Sequence, residues 1–158
     1  MCPPQVERLI MQTFLPYPDF KESLEVLDYR RLGKQRVESY QVLNVLLKRA
    51  KPKTKKDGTV YYGWENHVVT RMWRGYEEAL KLYLNLSIEE WIKRGYNNNM
   101  ALEVIDYSNL VYPFWFGSED IHRSHRLKLS WKHWEWYCDK FDDVLDKPVD
   151  EPDYVWPL

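Results

Sequence analysis

Cysteine is scarce: Cys2 and Cys138 are the only two in 158 residues. Two thiols supply neither a disulfide framework nor the paired half-sites of a structural metal, so no metal and no other cofactor is expected. Six glycines exclude a collagenous or glycine-rich low-complexity chain. No stretch approaches 18 consecutive apolar residues, which excludes a membrane-spanning helix. The opening MCPPQVERLI lacks a basic stretch, an apolar run and a small-residue end. A secretory leader is therefore not expected, and a reduced, cytoplasmic setting is. Aromatic residues, by contrast, make up 16% of the chain and include eight tryptophans. A chain of this length with that apolar payload builds one real core, burying somewhat under ~70% of its extended surface.

The net charge of −1 conceals an uneven layout. Residues 137–158 carry a balance of −5, while residues 28–57 carry ten Lys and Arg against three acids, a balance of +7. Screening confines each charge to roughly 8 Å at physiological salt, so a local patch attracts phosphate although the chain is near neutral. A solvated loop and a charged helix face are the plainer account of the same cluster.

Pattern and punctuation predict an all-α, compact single domain of four to six helices with long irregular connections. Residues 1–10 read as an N-terminal appendage held extended by Pro3-Pro4, and 11–158 as the helical domain, ending in the acidic segment 137–158. QTFLPYPDF (12–20) has two X-Pro steps that keep Leu15 and Tyr17 out of the helical region. From Asp19 a short helix begins, with Glu22 completing a capping box. The next helix is expected from near Leu32, with Val37, Tyr40, Leu43, Leu46 and Leu47 as its apolar stripe. Arg31, Lys34, Gln35 and Glu38 fall on another face. Gly33 inside it costs up to ~1 kcal/mol against Ala, which suggests an interruption or a close approach. Asp57-Gly58 marks a turn in the lysine-rich loop 51–63, where Val60–Tyr62 suit a short strand without an evident partner. A second long helix is expected over 65–84. A third opens at Ser87 and ends at Gly95, and a last runs from Ser118 to about Phe141, with Cys138 as an inert core thiol. Tyr154 and Trp156 after so many acids predict a C-terminus that folds back.

The densest chemistry lies on the basic helix. Arg30, Arg31, Lys34 and Arg36 occupy under two turns, and guanidinium groups fit phosphate oxygens through a planar fork. Surface ion pairing, worth ~0.3 kcal/mol a pair, is the plainer alternative. Glu38 shares the face of Lys34 and Arg31. Amid cations it is expected to stay ionised and to act as a base or electrostatic stabiliser. Asp28 is a second candidate acid. His122 and His125 stand beside Arg126 and suit phosphate binding or water orientation, with ordinary packing as the alternative. His122 and His133 are about 16 Å apart along a helix, too far for one metal site. His67, Arg71 and Arg74 form a further candidate phosphate face. Trp64 and Trp115, in loops beside basic helices, are the candidates for stacking a base.

Several segments together resemble a known family. MQTFLPYPDF (11–20), LDYRRLGKQRVE (27–38), NHVVTRMWRGYEEAL (66–80), EEWIKRGYNN (89–98), PFWFGSEDIHRSHRLKL (113–129) and YVWP (154–157) resemble the pyrimidine-dimer DNA glycosylases, and a bacterial branch more closely than the small phage endonuclease. The resemblance implies a compact all-α fold and a bifunctional reaction. In it an N-terminal threonine amine attacks C1′ to form a Schiff base, a glutamate assists, and arginines hold the duplex. Arg30 aligns with one such arginine and Lys34 with another basic position. The family's glutamate falls on Arg31, and its threonine on the internal Thr13. An amine would then come from Cys2 at a processed terminus or from Lys34, or Glu38 or Asp28 would activate water instead.

The expected function is therefore a DNA N-glycosylase excising a damaged or modified base, with abasic-site lyase activity as an addition and double-stranded DNA as partner. A non-catalytic nucleic-acid-binding domain and an N-glycosidase acting on a free nucleoside or nucleotide are the alternatives. A monomer is expected.

Overall fold

Six α-helices, one two-stranded hairpin and a 3-10 turn make up the regular structure of residues 11–158, the part that the computed structural model describes. The all-α expectation holds; the expected appendage 1–10 lies outside the described residues. In chain order the elements are α1 (Phe20–Glu25), α2 (Tyr29–Leu46), β1 (Lys53–Thr54), β2 (Val60–Tyr61), α3 (Val68–Trp73), α4 (Glu77–Lys93), α5 (Glu119–Lys132) and α6 (Trp134–Tyr137). The 3-10 turn is Tyr107–Asn109.

Local signals hold at the element ends. Asp19 caps α1 by accepting from the Glu22 backbone N–H at 2.8 Å. Gly95, at φ +91°, follows the last turn of α4, where only glycine enters the left-handed region without strain. The interior boundaries differ from expectation. The helix predicted over 65–84 is broken at Gly75 (φ +89°), between α3 and α4. Ser87 opens no helix; it lies inside α4, buried, with its hydroxyl donating to the Leu84 carbonyl at 2.6 Å. The last helix stops at Lys132, because the His133 backbone leaves the helical region (φ −149°, ψ 69°) before α6. Cys138 is consequently exposed rather than in the core.

The buried face of α2 also differs. Val37, Tyr40 and Leu47 point outward, 37–43% exposed, while Leu32, Gln35, Ser39, Val42 and Leu43 are fully buried. Hydropathy misplaces the face because two of its core positions are polar, with the Gln35 side-chain oxygen and the Ser39 hydroxyl bonded inside the fold. Gln35 Oε1 accepts from the Phe14 N–H at 2.8 Å and from the Tyr83 hydroxyl at 2.9 Å. A buried amide oxygen with partners costs little, whereas one without them is expensive.

α2 packs mainly against α4. Gly33 makes the approach possible, since a Cβ there would lie 3.1 Å from the Trp91 ring. Tyr29 stacks on the same indole and Arg36 sits over it, 4.5 Å from the centroid. The core continues through Phe20, Trp73, Tyr83 and Trp115, whose rings meet at 5.2–6.0 Å. The hairpin pairs Lys53 with Tyr61 and Thr54 with Val60. Two-residue strands show no alternation, which is why the partner of Val60–Tyr62 was not legible. As expected, the C-terminus folds back: the Tyr154 ring meets Phe14 and His125 edge-on or tilted at 5.6–6.2 Å.

Candidate functional site

The site is organised by the irregular segment 12–17, whose X-Pro steps deny it helix or sheet partners. Its backbone is buried, so its polar groups must be satisfied from elsewhere. Side chains do this almost throughout. Gln12 N–H donates to Glu38 Oε2 at 3.3 Å, Phe14 N–H to Gln35, and Leu15 N–H to His125 Nδ1 at 2.9 Å. The one Tyr83 hydroxyl proton is shared between the Phe14 carbonyl, 2.8 Å away, and Gln35 Oε1, and Arg126 Nη1 donates to the Pro16 carbonyl at 2.7 Å. His122 Nδ1 lies 2.7 Å from the Leu15 carbonyl, so it carries the proton and donates; its Nε2 accepts from the Gly117 N–H at 2.9 Å.

This network corrects the expected roles of α5. His122 and His125 are fully buried and Arg126 nearly so. Burial holds both imidazoles below their ordinary range, His125 at about 3, with the neighbouring cationic forms adding to the effect. They are neutral packing groups that clamp Leu15 and cannot meet a phosphate. Arg126 is saturated: it grips Asp143 through Nε and Nη2 at 2.7–3.2 Å and also pairs with Glu119. Arg126→Met should therefore lower stability by about 2 kcal/mol, chiefly through the orphaned Pro16 carbonyl and lost charged hydrogen bonds. DNA affinity should stay within about twofold; denaturant melts and fluorescence anisotropy would check both.

Glu38 occupies a different environment. It borders a recess of about 40 Å³ with Gln12, Phe14, Arg31, Lys34, Lys132 and Tyr154. Burial raises its carboxyl above the ordinary range, although the Gln12 N–H, Lys34 and Lys132 all pull it down. Desolvation thus outweighs the cations that sequence reasoning expected to dominate. Arg31 and Lys132 also border a cavity of about 450 Å³ with Asp28, Arg30 and Trp136. Tyr154 is shared with one of about 560 Å³ between His67, Lys128 and Trp156, and His67 with one of about 330 Å³ under Trp64. Four adjoining cavities therefore run from Arg30 past Glu38 to the hairpin, walled mainly by cations and aromatic rings.

Among the sequence candidates, Arg30, Arg31, Lys34, Glu38, Asp28, His67 and Trp64 border this row. Asp28 is 4% exposed and held by the Tyr137 hydroxyl at 2.5 Å and by Arg31 at 3.3 Å. His67 accepts from the Val69 N–H and caps α3. Arg36 instead rests on Trp91 and donates to Asn98 at 2.7 Å. Arg71 and Arg74 are exposed and line none of the four cavities; Arg74 donates to the Glu65 carbonyl at 2.9 Å. Trp115 is 2% exposed and donates to the Met72 carbonyl, so its ring is unavailable for stacking a base. Sequence reasoning missed Gln12, Lys128, Lys132 and Tyr154. Only the aromatic C-terminus offered a signal, and it said that Tyr154 docks without saying where.

Residues 11–104, more than half of the chain, match the family model described as pyrimidine dimer DNA glycosylase. The chain belongs to this family of DNA glycosylases. No curated protein and no solved structure matches it. The matched span includes both Glu38 and the segment that binds it, but not Lys132 or Tyr154. Thr13, where the resemblance puts the glycosylases' amine, contributes an ordinary backbone amide; its hydroxyl accepts from the buried Trp73 indole at 3.0 Å. The same resemblance puts their glutamate at Arg31, and Glu38 places a carboxylate seven residues later, two turns along α2. No helix among the described residues is long and apolar enough to cross a membrane.

Proposed function

We propose that the protein excises a damaged or modified base from double-stranded DNA, with Glu38 activating the attacking water. The observation that carries this reading is a desolvated carboxylate opening midway along a cation-walled row of cavities. Adjoining open cavities suit successive units of a strand better than a free nucleotide, which needs one enclosing pocket. Arg30 and Arg31 bind phosphates on one side of Glu38, and the wider cavity beyond Tyr154 accepts the base turned out of the stack. Water oxygen attacks C1′ and its proton passes to Glu38, while the departing base leaves with the glycosidic electron pair and is then protonated. Asp28, held by Tyr137 and Arg31, positions Arg31.

Lys34 borders the same recess and is the amine for a lyase step. Its free base condenses with the abasic C1′ aldehyde, releasing water, and the imine then permits elimination of the 3′ phosphate. Purified protein incubated with duplexes carrying a panel of lesions should release a base from at least one. Borohydride should trap a covalent adduct, and Lys34→Arg should abolish trapping while base release continues. Failure to release any base overturns the glycosylase reading; undiminished trapping in Lys34→Arg places the amine elsewhere.

A further inference from the structure

Trp64 combines two features that packing does not explain. Its backbone is left-handed (φ +66°), costly for a bulky residue, and its side chain lies outside the core with 41% of the residue exposed. The turn is braced: His67 N–H donates to the Trp64 carbonyl at 3.0 Å, and Arg74 ties down the Glu65 carbonyl. What this conformation achieves is to set the indole beside His67, ring centroids 5.2 Å apart, along a cavity of about 330 Å³. Lys55 and Tyr61 from the hairpin also line it, with the Lys55 ammonium 5.6 Å from the Tyr61 ring.

The hairpin also carries Lys51, Lys53, Lys55 and Lys56, all exposed, with Asp57 as its one acid. Asp57 is engaged in the turn, accepting from the Thr59 N–H at 2.9 Å. None of these four lysines has an ion-pair partner among the described residues. Unpaired ammonium groups beside a strained, exposed indole are the combination that binds a nucleic-acid strand: cations for phosphates and an aromatic face for a base. Glu65, also on the cavity wall, can accept from a base N–H.

We propose that the hairpin cavity is a second DNA site, holding one unpaired nucleobase against Trp64 while Lys53, Lys55 and Lys56 hold the phosphates of the same strand. The proposal rests on the DNA reading above and extends it, since His67 joins this cavity to the row that contains Glu38. It gives the enzyme a grip on DNA that is distorted beside the excised base.

Anisotropy of the full chain with two 20-mer duplexes tests it, one fully paired and one bearing a single unpaired thymine. The wild type should prefer the second by about tenfold, and Trp64→Gly, which also relieves the left-handed backbone, should bring that ratio to about one. Combined Lys53→Glu, Lys55→Glu and Lys56→Glu changes should weaken binding to both at least tenfold and cut the slope of log affinity on log salt by about two to three. A preference that persists in Trp64→Gly, or an unchanged salt slope in the triple variant, overturns the proposal. Base release by the wild type, measured in parallel, decides the glycosylase reading separately. Hairpin-dependent binding without release sustains this site alone, and a wild type that binds neither duplex overturns both.

Discussion

Glu38→Gln should slow base release under single-turnover conditions by roughly 10²–10⁴-fold, the usual worth of a positioned general base, while duplex affinity stays within about twofold. The amide keeps an oxygen to accept from the Gln12 N–H, so segment 12–17 and the recess stay in place. Quench-flow base release and anisotropy on the same protein separate the two effects. Normal turnover in the variant would make Glu38 a bystander and leave Asp28 as the next acid to test. The pH profile supplies an independent check. The base must be ionised, so the rate should rise with pH through the carboxyl's titration. Burial moves that limb above the ordinary glutamate value of 4.5. A limb at or below the ordinary value would mean that the recess is wet and the cations dominate.

The second large effect concerns acid stability. His125 titrates at about 3 in the folded protein and at 6.5 in an unconstrained chain, because burial penalises the imidazolium. The folded state therefore binds fewer protons, and stability is complete above the unfolded value and lost as pH falls from 6.5 towards 3. At ~1.4 kcal/mol per pH unit, His125 alone should remove roughly 2–3 kcal/mol between pH 6.5 and 4.5. His122, also lowered by burial, adds to the loss. Glu38 acts oppositely: its raised carboxyl favours the folded state at low pH, and that contribution fades as pH rises through the folded value. In His125→Asn the amide oxygen takes the place of Nδ1 and can still accept from Leu15, while nothing at that position titrates. Urea melts across this window should then show a shallower acid limb than the wild type; equal slopes would refute the assignment.

The two predictions separate what local pattern reveals from what it hides. That Glu38 shares a face with Arg31 and Lys34 was legible because their spacing is a property of one helix. His122 and His125 were misread because the same helical spacing serves a phosphate site and a buried clamp equally well. Which role they take depends on Leu15, more than 100 residues away in the chain. The face of α2 was misplaced for a related reason. Gln35 looks like a surface residue until Phe14 and Tyr83 supply its partners, and Ser39 until its hydroxyl turns back onto the Gln35 carbonyl of its own helix. Gly33 was noticed as anomalous, yet the Trp91 ring that it admits belongs to another helix.

By itself, the order of residues determined an all-α class, the α1 cap at Asp19, the α4 stop at Gly95, an aromatic core and a basic helix bearing one acid. These follow from backbone sterics and local hydrogen bonding, which act within a few residues. Tertiary structure decided that His122, His125 and Arg126 turn inward, that Trp115 is core, and that Lys132 and Tyr154 line the recess of Glu38. A buried, irregular backbone had to find partners for its polar groups, and only the folded chain brings distant side chains within reach of them.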